Sequence, residues 1–107
     1  MSRLAIIGGG GWGTALACVL APRFDSVSLW MHEADLAATV EQTRTNAVFL
    51  SGITIPANVQ VTASLEAALT DATVLLSVMP SHVVRQVYTR CLPWLRSGTP
   101  LVSATKG

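Results

Sequence analysis

Residues 3–13 read Arg3-Leu4-Ala5-Ile6-Ile7-Gly8-Gly9-Gly10-Gly11-Trp12-Gly13. After Arg3 the run carries no charge, which suits a strand buried on both faces. From Trp12 to about Ala21 the residues are small and apolar, with Pro22 as a stop, and this predicts a helix able to lie close on a sheet. Between strand and helix, Gly8, Gly10 and Gly13 fall into the spacing G-x-G-x-x-G. The spacing alone is a weak signal. Its position, directly after a buried strand and opening a helix within a β-α-β unit of about thirty residues, is what gives it weight. Gly8 permits a sharp turn off the strand, Gly10 lets the backbone approach a pyrophosphate, and Gly13 lets helix and strand touch. The helix N-terminus then offers unpaired N–H groups and partial positive charge to an anion. Trp12 either walls the resulting cleft or packs beneath it.

Outward from this turn, Val27–Met31 reads as a second strand and Ala34–Thr45 as a second helix with Leu36, Ala37 and Val40 on its apolar face. Residues 46–62 look irregular, with an extended piece at Val59–Val61. Ser64 is a cap for a short helix through Leu69. Thr73–Val78 has no charge and belongs in the sheet centre. Ser81 opens a helix whose apolar stripe is Val84, Val87, Tyr88, Cys91, Leu92 and Leu95, ended or kinked at Pro93. Pro100–Thr105 is a last strand. The alternation predicts an α/β fold: a doubly wound, mostly parallel, Rossmann-like sheet with helices on both faces. The whole chain, 1–107, then reads as one dinucleotide-binding domain, incomplete at its C-terminal end.

Composition narrows the function. The 107 residues are 50% hydrophobic and 12% charged with a formal net charge of +1, so the chain has the material for a packed core. Scattered basic residues leave no footprint for nucleic acid, and no apolar stretch is long enough to span a membrane. Cys18 and Cys91 sit in helical patterns as small hydrophobes rather than as a disulfide. A soluble, cytoplasmic protein without a metal is expected. A sheet that stops early should expose apolar surface and self-associate.

Two further positions bear on a dinucleotide. Glu33 lies just past the second strand, where an acidic residue about twenty positions beyond the glycines accepts hydrogen bonds from ribose hydroxyls and repels a 2′-phosphate. This leans toward NAD and leaves NADP open. His32 beside it can stack on adenine or, protonated, meet a phosphate. Lys106, the only lysine, follows the last strand at the carboxyl edge, where an ammonium can hold a phosphate or polarise a carbonyl. Met79-Pro80-Ser81 ends another strand on that edge and can line the nicotinamide side.

Together these pieces resemble the N-terminal domain of the NAD(P)-dependent glycerol-3-phosphate dehydrogenases. The matching residues are Gly8–Ala17, Leu29-Trp30, Arg44 and Asn46 with Leu50, Gly52 and Pro56, then Pro80-Ser81 and Ser103–Gly107. The chain departs from the family's Gly-Ala-Gly-Ser-Trp-Gly at Gly9 and Gly11. Ser51 and Phe49 stand where Pro and Tyr are common. The resemblance implies that Gly11, Trp12 and His32 contact NAD or NADP, with Glu33 and Phe49 as weaker candidates, and that Lys106 meets both cofactor and substrate phosphate. It implies reversible hydride transfer between the nicotinamide and dihydroxyacetone phosphate, giving sn-glycerol 3-phosphate for glycerophospholipid synthesis. The family's proton-transferring lysine belongs to a helical second domain, so no catalytic residue is expected here and the chain alone is expected to be inactive. The alternatives are a related hydroxyacid or ketoacid reductase and a non-catalytic nucleotide-sensing module.

Overall fold

The computed structural model describes residues 2–8, 10–46, 50–79, 81–94 and 100–103. In chain order the elements are β1 (Arg3–Ile7), α1 (Gly11–Leu20), β2 (Ser26–Trp30), α2 (Ala34–Thr43), β3 (Thr45–Asn46), β4 (Leu50–Thr54), β5 (Val59–Thr62), α3 (Leu65–Leu69), β6 (Val74–Ser77), α4 (Ser81–Cys91) and β7 (Leu101–Ser103). Five strands form one sheet in the order β5-β2-β1-β6-β7. All four pairings are parallel, with Ile7 opposite Trp30 on one side and Ser77 on the other. The order reverses at β1 and β6, which opens a crevice at their carboxyl ends.

The alternation of side chains explains the layers. One sheet face presents Leu4, Ile6, Val27, Leu29 and Leu76 to Ala17 of α1 and to Ala37 and Val40 of α2. The other presents Ala5, Ile7, Trp30 and Leu75 to α3 through Leu65, Ala68 and Leu69 and to α4 through Val87 and Cys91. Central strands covered on both faces are apolar where both layers reach them, as β1 is from Leu4 to Ile7. The expected doubly wound sheet with helices on both faces is therefore present.

Four local expectations need correction. β2 ends at Trp30, one residue early, and Met31 follows it with its N–H donated to the Thr62 carbonyl at 2.9 Å. α2 stops at Thr43 because Arg44 adopts the left-handed conformation (φ +62°) and donates its N–H back to Val40. The described residues of 46–62 are not irregular: β3 and β4 pair antiparallel, while the extended piece expected at Val59–Val61 is present as β5 at the sheet edge. In α4, Val87 and Cys91 are buried, whereas Tyr88 and Leu92 are exposed at 37% and 55%. A single-turn 3-10 helix over Leu92–Trp94 replaces the expected α-helical turn. Ser64 caps α3 as expected, its Oγ accepting from the Ala67 N–H at 3.2 Å.

The β5 edge is closed by side chains. The Asn58 and Thr62 carbonyls accept bonds from Val27 and Met31, so Val59 and Val61 turn their backbone groups outward. Glu41 accepts from the Val61 N–H at 2.8 Å, and Arg44 donates to the Pro56 and Val59 carbonyls, each at 2.6 Å. Glu41 and Arg44 are also an ion pair. Together they occupy the backbone groups that a sixth strand would take.

Candidate functional site

The turn after β1 is built by exclusion. Gly8 has φ +129°, and a Cβ there would lie 2.7 Å from the Val78 carbonyl oxygen. Its N–H donates to the Trp30 carbonyl at 3.1 Å, and Val78 donates to Ile7 at 2.9 Å, so β2, β1 and the end of β6 meet at this point. A Cβ on Gly13 would lie 1.7 Å from the Gly8 carbonyl oxygen, which places the first turn of α1 directly against the loop. Only hydrogen fits at either position.

Gly10 has the opposite surroundings. A Cβ built there meets nothing within 4 Å, so the backbone faces open space. It is the N-cap of α1 and supplies no side-chain cap, and the first helical bond runs from the Thr14 N–H to the Gly10 carbonyl at 2.9 Å. The amides of Gly11, Trp12 and Gly13 have no helical carbonyl within reach, and no acidic residue sits in this first turn. The result is a cradle of amides at a positive helix pole, sized by glycines and open on one side. A diphosphate fits it by charge, by hydrogen bonding and by the space left for it. Trp12 is 55% exposed beside the cradle. It does not pack beneath it.

At the end of β2, His32 and Glu33 are both exposed. Glu33 is the N-cap of α2, yet its carboxylate makes no capping bond and is left to project from the turn. The His32 ring stands edge-on to the indole of Trp30, with centroids 6.0 Å apart and planes at 67°. The topology therefore brings Gly8, Gly10, Gly11, Trp12, Gly13, His32 and Glu33 to the carboxyl ends of β1 and β2. Phe49, Pro80 and Lys106 lie outside the described residues.

The sequence reading missed two features, the first of them at the site. Ser77, at the carboxyl end of β6, buries an Oγ that has no hydrogen-bond partner among the described residues. A serine inside an apolar strand gives no signal of its own, although its place at the strand end marks the crevice. Arg44 carried no assigned role, because its carbonyl partners Pro56 and Val59 lie far along the chain. Cys18 and Cys91 are free thiols on α1 and α4, and burial pushes both up from the usual thiol range, while Arg90 pulls Cys91 part of the way back.

Residues 3–107 match the family model described as NAD-dependent glycerol-3-phosphate dehydrogenase N-terminus. The glycerol-3-phosphate dehydrogenase [NAD(P)+] of Koribacter versatilis is 52% identical over 108 residues, covering 100% of this chain and 32% of that protein. That of Geobacter metallireducens is 43% identical, covering 98% of this chain and 31% of its own length. Among solved structures, glycerol-3-phosphate dehydrogenase from Coxiella burnetii superposes with a TM-score of 0.93 at 35% identity, over 99% of this chain and 33% of that one. The chain thus spans about a third of the relatives it matches. No helix among the described residues is long and apolar enough to cross a membrane. With the reversed strand order, the glycine cradle at its turning point and a family match across nearly every residue, this chain belongs to the NAD-dependent glycerol-3-phosphate dehydrogenase N-terminal family.

Proposed function

We propose that this chain, over residues 1–107, is the dinucleotide-binding part of a cytoplasmic oxidoreductase that interconverts dihydroxyacetone phosphate and sn-glycerol 3-phosphate with NAD(P)H, in the service of glycerophospholipid synthesis. The observation that carries the reading is the amide cradle at the crevice, empty of side chains where Gly10 faces out and rigid where Gly8 and Gly13 interlock. When bound, the cofactor supplies the hydride. The chain's own residues bind and orient it. The amides of Gly11, Trp12 and Gly13 take the diphosphate, and Trp12 walls it. Glu33 accepts from the adenosine ribose, and His32 meets the adenine beside it. Phe49 and Pro80 are further cofactor contacts, and Lys106 holds the phosphate shared by cofactor and substrate. Preference for NADH over NADPH follows from Glu33, whose uncapped carboxylate repels a 2′-phosphate.

Titration with NADH is the test, read both by heat and by Trp12 fluorescence. Binding with a change in indole emission is expected. Glu33→Ala should lower the NADH-to-NADPH affinity ratio about tenfold, the effect of one lost charge-assisted contact. No heat and no fluorescence change at millimolar cofactor would remove the proposal.

A further inference from the structure

Trp30 occupies an unusual place for a strand-terminal residue. It is 2% exposed, at the end of β2 next to the turn that carries His32 and Glu33. Its indole is held from three directions. The Nε1–H donates to the Ala63 carbonyl at 3.0 Å, which fixes the ring to the turn between β5 and α3. The guanidinium carbon of Arg90, on α4, lies 5.9 Å from the ring centroid, within cation–π range. The ring body packs among Ala5, Ile7, Leu65 and Val87. Against this braced surface stands the His32 ring, edge-on at 6.0 Å.

An exposed histidine in a turn ordinarily samples several rotamers, and ordering one of them on binding costs affinity. His32 is exposed but stands against a buried ring that is hydrogen-bonded to the β5–α3 turn and faced by Arg90 of α4. We propose that Trp30, braced by Ala63 and Arg90, is a positioning residue that holds His32 in the orientation in which it meets the adenosine half of the dinucleotide. The inference rests on the reading of His32 as a cofactor contact. It adds that part of the adenosine affinity is stored in a contact that never touches the cofactor, and that α4, on the opposite sheet face from α1, feeds into the adenosine end of the site through one side chain.

The test compares NADH with reduced nicotinamide mononucleotide, which lacks the adenosine half, and follows the His32 ring proton resonances by NMR. Trp30→Leu should weaken NADH about two- to tenfold, the range of one aromatic pair, and leave the mononucleotide unchanged. The His32 resonances should lose their ring-current displacement. Trp30→Phe keeps an aromatic face and should recover most of both signals. Arg90→Gln, on an exposed position that leaves the core intact, should shift the His32 resonances and weaken NADH about twofold, and it keeps the test decisive if Trp30→Leu fails to fold. Unmoved His32 resonances in Arg90→Gln, or equal losses for NADH and the mononucleotide in Trp30→Leu, overturn the proposal. His32→Ala separates the two readings. If it leaves NADH affinity intact, the cofactor role of His32 and the positioning role fall together. If it weakens NADH while the Trp30 and Arg90 variants do not, the positioning role falls alone.

Discussion

Three glycines of one turn do three different jobs, and substitution separates them. Gly13→Ala puts a methyl into the space of the Gly8 carbonyl, so α1 must move. A loss of about 1–3 kcal/mol in urea unfolding is expected, together with loss of NADH binding. Gly10→Ala meets no atom of the described residues within 4 Å and should keep stability within about 1 kcal/mol, the cost of alanine at an N-cap, while its methyl would stand in the diphosphate site proposed above. Weakened NADH binding without weakened folding is the outcome that marks Gly10 as a ligand-facing position. The two thiols give a pH effect. Burial raises both above the usual thiol range, so the folded state favours the protonated form. Their contribution is whole below the ordinary thiol value and declines as pH rises past it. Urea unfolding from neutral to alkaline pH should show that decline, and Cys91→Ala should flatten it. The tight turn at Gly8 and the close helix contact at Gly13 were legible in the sequence because spacing, strand and helix agreed with one another. The packing of Trp12 was not, because a single aromatic residue on a loop satisfies either arrangement.

Among the elements, β1, α1 and α3 follow their sequence patterns closely, since each has one unambiguous period and a clear start or stop. β5 does not. Gln60 is exposed while Val59 and Val61 are buried, so β5 carries only a short alternation placed after Gly52 and Pro56. What makes it a strand is its partner β2, together with the Glu41 and Arg44 side chains on its free side. Such side-chain-to-backbone bonds leave no periodic trace. Glu41→Ala and Arg44→Ala should each destabilise the fold by about 1–3 kcal/mol, because buried or partly buried backbone groups lose their partners. Arg44→Lys should rescue only part, since an ammonium does not reproduce the fork that holds Glu41 with one nitrogen and two carbonyls with the other. Hydrogen exchange at the Val61 amide is the local measurement, and faster exchange in Glu41→Ala is expected while the β1 amides stay protected.

For the molecule as a whole, the two sides of the sheet differ. β5 is closed by its ion pair, whereas β7 is a three-residue edge strand whose Leu101 and Val102 are exposed at 46% and 51%, alongside Leu92 and Trp94. Successive residues of a strand point to opposite faces, so both faces of β7 are bare. Concentrated solutions of this chain should therefore contain species larger than a monomer by light scattering, and Leu101→Lys with Val102→Lys should shift them toward the monomer. That asymmetry also bears on biosynthesis. The strands on the closed flank are all made before β6 and β7, and β1, the first to emerge, is the one they assemble upon. A polypeptide leaving the ribosome amino end first can finish that flank with its own carboxylate and guanidinium before β6 and β7, which make the bare flank, are translated.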